Sequence, residues 1–142
     1  MPYSYVQKLA ILAAVTLGLG VMGCSHRKKA PDPMVSISGV ATPHHNGAFG
    51  PDAVAYVRLA DVTKDVQGKT VLQKEFKPDC CGTLPFELSL KEKHIDPDRA
   101  YAIDVRVIDN GNLVYLTHGS KRVLTQGKPN VLDVELEEPG RH

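Results

Sequence analysis

Tryptophan is absent from this 142-residue chain, and aromatic residues make up only 6% of it, as five tyrosines and three phenylalanines. The missing tryptophan, with the missing Cys…Trp…Cys spacing, argues against a true antibody-type domain. Charge of one sign is lacking as well. The formal net charge is +1, and removing residues 1–23 removes Lys8 alone, leaving 16 basic side chains against 16 acidic ones. So balanced a surface has no electrostatic footprint for nucleic acid, and no such partner is expected. Nor is any apolar run as long as the about 20 residues that span a bilayer. The longest, Leu9–Gly20, follows Lys8 and ends in small residues before Cys24, the order of a signal peptide rather than of a permanent transmembrane helix. Catalytic signatures are missing too: there is no GxSxG elbow, no phosphate loop and no dinucleotide fingerprint. Asp96 and Asp98 flank Pro97, where carboxylates cap turns more often than they transfer protons. The chain is therefore not expected to be an enzyme, and no cofactor is expected.

What the chain does have is alternation. Between Leu84 and His118 it carries its longest alternating stretches and its sharpest turn, Asn110-Gly111. Both central residues of a type I′ turn need positive φ, so this pair between two β-branched and aromatic runs predicts a two-residue hairpin. Such a loop sets Asp109 opposite Asn112. Counting outward pairs Val107 with Val114, Val105 with Leu116 and Ile103 with His118 on a core-facing side. Arg106 opposite Tyr115 and Asp104 opposite Thr117 then face solvent, with Ile108 and Leu113 exposed near the turn.

Further strands are predicted at Met34–Ala41, Ala53–Val62, Thr70–Lys77, Leu84–Leu90, Ala100–Asp109, Asn112–His118, Lys121–Leu124 and Val131–Glu137, with no convincing helix. Leu84, Phe86, Leu88 and Leu90 share one face, and Leu132, Val134 and Leu136 share another with Asp133, Glu135 and Glu137 turned out. The expected class is all-β, an antiparallel two-sheet β-sandwich of seven or eight short strands after the signal peptide, with a partly open barrel as the other arrangement of the same strands.

Two residue pairs invite chemistry. Cys80 and Cys81 are adjacent, and their α-carbons, about 3.8 Å apart, lie closer than those of ordinary bridged cysteines. A strained vicinal disulfide, a bridge to another molecule and two free thiols all remain open. His44-His45 could join Cys80, Cys81 or His118 as a zinc or copper ligand set, which defines one reading of the chain as a periplasmic metal or redox protein. The spacing matches no familiar ligand signature, so no metal site is assigned, and a polar loop beside Asn46-Gly47 is the simpler account.

Val21-Met22-Gly23-Cys24 resembles the lipobox of bacterial lipoproteins. The resemblance implies that Cys24 carries diacylglycerol on sulfur, becomes the mature N-terminus and is acylated there, for instance with palmitate. Several acyl chains, at about 0.8 kcal/mol per buried CH₂, make a stable anchor. Ser25 rather than Asp after the cysteine favours the outer membrane, on its periplasmic face. The expected organisation is a signal peptide over residues 1–23, a lipid-anchored tether over 24–33 with Arg27, Lys28 and Lys29 near the membrane, a β-domain over 34–137 and a tail over 138–142.

Within the β-domain, the order Val35-Ser36-Ile37-Ser38-Gly39, Leu59-Ala60-Asp61-Val62, Pro85-Phe86-Glu87-Leu88, Ile95-Asp96-Pro97 before Tyr101-Ala102-Ile103, and Val123-Leu124-Thr125 before Gly127 resembles the YbaY-type and YscW-type lipoproteins. The latter are type III secretion lipoprotein chaperones, or pilotins. The resemblance implies a β-sandwich domain without known catalytic residues and an envelope-maintenance or assembly role, with escort of a secretin, the outer-membrane ring of a secretion system, as the second reading. A pilotin needs an apolar groove or an open sheet edge to hold its partner. Ile108, Leu113 and Tyr115 are the candidates for that surface, against the alternative that they only brace the hairpin across its turn.

Overall fold

The computed structural model describes residues 28–79 and 82–140. Signal-peptide cleavage, lipidation at Cys24 and the state of Cys80 and Cys81 lie outside these residues. The β-domain belongs to the compact unit Pro31–His142. It contains eight strands: β1 (Met34–Pro43), β2 (Val54–Asp61), β3 (Lys69–Phe76), β4 (Leu84–Lys91), β5 (Tyr101–Asp109), β6 (Asn112–Thr117), β7 (Lys121–Val123) and β8 (Val131–Glu137). Two single 3₁₀ turns, His44–Asn46 and Glu92–His94, are the only helical pieces among the described residues. All eight predicted strands are present, within a few residues of the expected bounds.

They do not divide into the two sheets expected of a sandwich. One hydrogen-bonded path runs β3-β2-β5-β6-β8-β1-β4, with β7 pairing β5 off the path. It is nearly barrel-shaped, since the Phe76 ring of β3 and the Phe86 ring of β4 meet edge to face at 6.5 Å. Alternation is the same in a sandwich and in a curled sheet. What separates them here is β8, which pairs parallel with β1 and antiparallel with β6 and so joins the halves that a sandwich would leave apart.

The inward faces supply the core. Ile37 of β1, Val57 and Leu59 of β2, Leu84 and Leu88 of β4, Ile103, Val105 and Val107 of β5, and Leu136 of β8 are fully buried. Each such side chain stabilises the fold by about 1.5–3 kcal/mol. Gly39 lies where β8 and β4 both crowd β1. A β-carbon there would overlap the Leu132 carbonyl oxygen and stand 2.8 Å from the Phe86 ring.

The central hairpin turns as its sequence demands: Asn110 and Gly111 have φ of 49° and 79°, and Asp109 pairs with Asn112. Ile108 then pairs with Leu113, but Val107 pairs with Tyr115 and Arg106 with Leu116. Val114 is an extra residue on β6. This bulge corrects the predicted pairs Val107 with Val114, Val105 with Leu116 and Arg106 with Tyr115. A one-residue shift exchanges the two faces of a strand, so beyond the bulge Tyr115 and Thr117 point inward and Leu116 outward.

Both inward polar groups are satisfied. The Tyr115 hydroxyl donates to the Ala48 carbonyl at 3.3 Å, and its ring meets Phe49 edge to face. Thr117 sits at a fork. β5 pairs with β7 over Tyr101–Ile103 and with β6 from Arg106 onward, while β6 departs toward β8. In the gap, Val105 N–H donates to the Thr117 hydroxyl at 2.6 Å, and that hydroxyl donates to the Val105 carbonyl at 3.2 Å. One side chain thus completes the ladder where no strand is available.

Candidate functional surface

Along β2, β5 and β6 the register sets outward side chains in rows. Val54 pairs with Ile108 and Ile108 with Leu113, so these three form one row across three strands. Tyr56 pairs with Arg106 and Arg106 with Leu116, forming the next. Leu113 is 41% exposed, Arg106 is exposed, and the other four are half-buried. The third row is polar: the Arg58 guanidinium forms a salt bridge with Asp104 and also donates to the Gln67 carbonyl and the Thr70 hydroxyl.

Of the three residues predicted for a partner surface, Ile108 and Leu113 fall side by side in the first row. Tyr115 does not join them. Its placement on the exposed side is corrected by the Val114 bulge, which turns it into the core and leaves it 9% exposed. Val54, Tyr56 and Leu116 were missed as surface candidates because a row across strands depends on the β2–β5 register and the β6 bulge. Their half-apolar alternation was the only sequence signal.

The histidine pair sits in the 3₁₀ turn after β1, where His45 and Asn46 adopt left-handed φ of 57° and 56°. His44 Nδ1 pairs with the Glu135 carboxylate of β8, and the two imidazoles are 3.8 Å apart. His118 pairs in the same way with Glu137. Among the described residues no three His, Cys, Asp or Glu side chains gather to hold a metal ion. Gly82 abuts Gly47, since a β-carbon at Gly82 would lie 3.2 Å from the Gly47 carbonyl oxygen, so the segment after the cysteine pair meets the loop after the histidine pair. The Thr83 N–H and hydroxyl both donate to the Asp79 carboxylate.

At the end of β2, Asp61 accepts from the Thr63 hydroxyl at 2.5 Å, from Arg99 at 2.6 Å and from the Thr63 N–H at 3.0 Å. These donors, the Thr63 hydroxyl first and Arg99 next, hold its pKa down at about 2. Thr63 also accepts from the Ala100 N–H, so the cluster pins the β2 end to the start of β5. Asp96 accepts from the Asp98 N–H and from Arg99, the turn-capping use expected of it. Asp32, just ahead of β1, takes hydrogen bonds from Lys93 and Lys91, which lower its pKa.

The family model described as type III secretion system lipoprotein chaperone (YscW) matches residues 32–136, from Asp32 to Leu136 in β8. The chain belongs to the YscW family. This family is one of chaperones rather than of catalysts. Among solved structures, an alternative pilotin from the type II secretion system of Vibrio cholerae matches with a TM-score of 0.68 at 21% identity, over 77% of this chain and 100% of that one. At that identity the match establishes a common fold. No curated protein matches the chain. The rows on β2, β5 and β6 set Val54, Ile108, Leu113, Tyr56 and Leu116 around the exposed Arg106.

Proposed function

We propose that this YscW-family protein is a non-enzymatic, pilotin-like chaperone that is anchored in the outer membrane through Cys24 and engages a secretin on the periplasmic side. The observation that carries the reading is the family match across the whole β-domain. It favours the chaperone role over a general envelope-maintenance role. The shared fold with a pilotin of another secretion system supports it. Physically, a domain of this kind has two tasks: to stay at its membrane and to hold a segment of its client. The lipobox-like Val21–Cys24 and Ser25 supply an anchor and an address, and the apolar rows supply a surface. The tether bearing Lys28 and Lys29 adds attraction to anionic head groups, about 1 kcal/mol per charge near an acidic leaflet.

The test is recovery of partners from detergent-solubilised envelope with the lipidated protein, read by mass spectrometry, with Cys24→Ala as the mislocalised control. A secretin recovered specifically with the wild-type chain supports the reading. Recovery of no secretion component, even after cross-linking, overturns it.

A further inference from the structure

We propose that the end of the β-domain that receives the tether rests on the lipid leaflet, with Val66 of the β2–β3 loop entering the head-group region and Lys64, Lys69 and Lys128 facing anionic lipid. The proposal rests on the lipid-anchored reading above and adds to it a membrane-facing surface and an orientation.

The strand pairings gather one set of loops at that end. β1 and β8 run parallel and every other pair is antiparallel, so β1, β3, β5 and β8 start where β2, β4 and β7 finish. Loops 62–68, 92–100 and 124–130 therefore lie beside Pro31–Pro33, where the chain enters the domain. Hydrogen bonds join them into one surface. The Glu92 N–H donates to the Pro33 carbonyl at 2.9 Å, the Thr125 hydroxyl to the Arg99 carbonyl at 2.6 Å and the Ala100 N–H to the Thr63 hydroxyl at 3.0 Å. Asp32 follows Cys24 by eight residues, which span at most about 28 Å when fully extended. β1 alone, ten residues at about 3.3 Å each, is about 33 Å long. The tether is thus too short for the domain to stand on its opposite end.

The chemistry of this end matches a lipid surface. Val66 is 81% exposed, more than any other large apolar side chain among the described residues. Its loop is braced in that state: the Gln67 N–H donates to the Asp65 carboxylate at 3.1 Å, and the Arg58 guanidinium donates to the Gln67 carbonyl at 3.0 Å. Lys64 and Lys69 flank Val66, and Lys128 stands in the neighbouring loop. All three are exposed, and none takes part in a salt bridge among the described residues. The opposite end carries Asp52, Asp79 and Asp109 against a single lysine, Lys77. An apolar side chain among unpaired lysines suits anionic head groups over acyl chains, whereas the acidic end is repelled by them. Because the acyl chains already hold the domain at the surface, so small a contact needs only to orient it.

The test uses the full lipidated chain reconstituted in vesicles of phosphatidylethanolamine and phosphatidylglycerol whose acyl chains carry bromine as a fluorescence quencher. An environment-sensitive fluorescent residue is placed at Val66 or, near the opposite end, at Leu113. Quenching at Val66 is expected to exceed that at Leu113 at least about threefold, and Lys64→Glu combined with Lys128→Glu should lower it by about half. Thermal unfolding of each variant checks that the domain remains folded. Equal quenching at the two positions, none at either while the chain floats with the vesicles, or quenching at Val66 that the charge reversals leave unchanged overturns the resting face and leaves the anchor and the chaperone reading intact. If the chain carries no lipid on Cys24 and does not float with the vesicles, the anchor and the resting face fall together.

Discussion

Replacing Thr117 by Val keeps the side-chain shape and removes one oxygen, yet it should be among the most damaging single changes to this domain. That oxygen accepts from the Val105 N–H and donates to the Val105 carbonyl, at 2.6 and 3.2 Å, within a buried fork that neither β6 nor β7 closes. Without it both backbone groups lose their partner. A buried polar group left unpaired costs about 1–3 kcal/mol, so the pair together should cost about 2–4 kcal/mol once local relaxation is allowed. Against a total stability of about 5–15 kcal/mol this is a large share. Thr117→Ser keeps the hydroxyl and loses only a methyl group, about 1 kcal/mol. Urea unfolding followed by circular dichroism separates the two, with tyrosine fluorescence as a second probe in a chain without tryptophan. The expected order is wild type, then Ser, then Val, with the Val midpoint well below the Ser one and an unchanged slope. Equal stability of the Val and Ser variants would refute the reasoning, because the hydroxyl would then contribute nothing that the methyl group does not.

Two further predictions follow from local geometry. Asp61, with a folded pKa of about 2 against about 3.9 in an unfolded chain, contributes stability above pH 4 that is lost as pH falls toward 2; Asp61→Asn should flatten the stability-pH curve in that window, as acid titration of both proteins by circular dichroism will reveal. Gly39→Ala should lower the melting temperature clearly, since its β-carbon would overlap the Leu132 carbonyl and force β1 and β8 apart, whereas Gly119→Ala, with nothing within 4 Å, should cost only the strain of its positive φ; a pair of calorimetric scans compares them.

Local signals in the sequence placed the strands and the turn because each is a property of neighbouring residues: alternation for β4 and β8, and Asn110-Gly111 for the β5–β6 hairpin. The arrangement of the strands was less legible. β1 and β8 lie nearly a hundred residues apart, and no local pattern announces their parallel pairing, which turns an expected sandwich into a nearly closed sheet. The Val114 bulge left no mark either. Tyr and Thr at alternating positions read as an outward polar face, and only the nearby Ala48 and Val105 backbone groups make them suitable inside. The candidate surface inherits this history. Ile108 and Leu113 were legible from the turn, but Val54, Tyr56 and Leu116 join them through a register that crosses half of the chain.

The central claim is that the anchored domain brings a secretin to the outer membrane, and it is tested most directly by following the secretin itself. Membranes from cells expressing the wild-type chain, the Cys24→Ala chain or neither would be separated by density and probed for assembled secretin. The account predicts assembled secretin in the outer-membrane fraction only with the wild-type chain. Equal amounts of outer-membrane secretin in all three would contradict it.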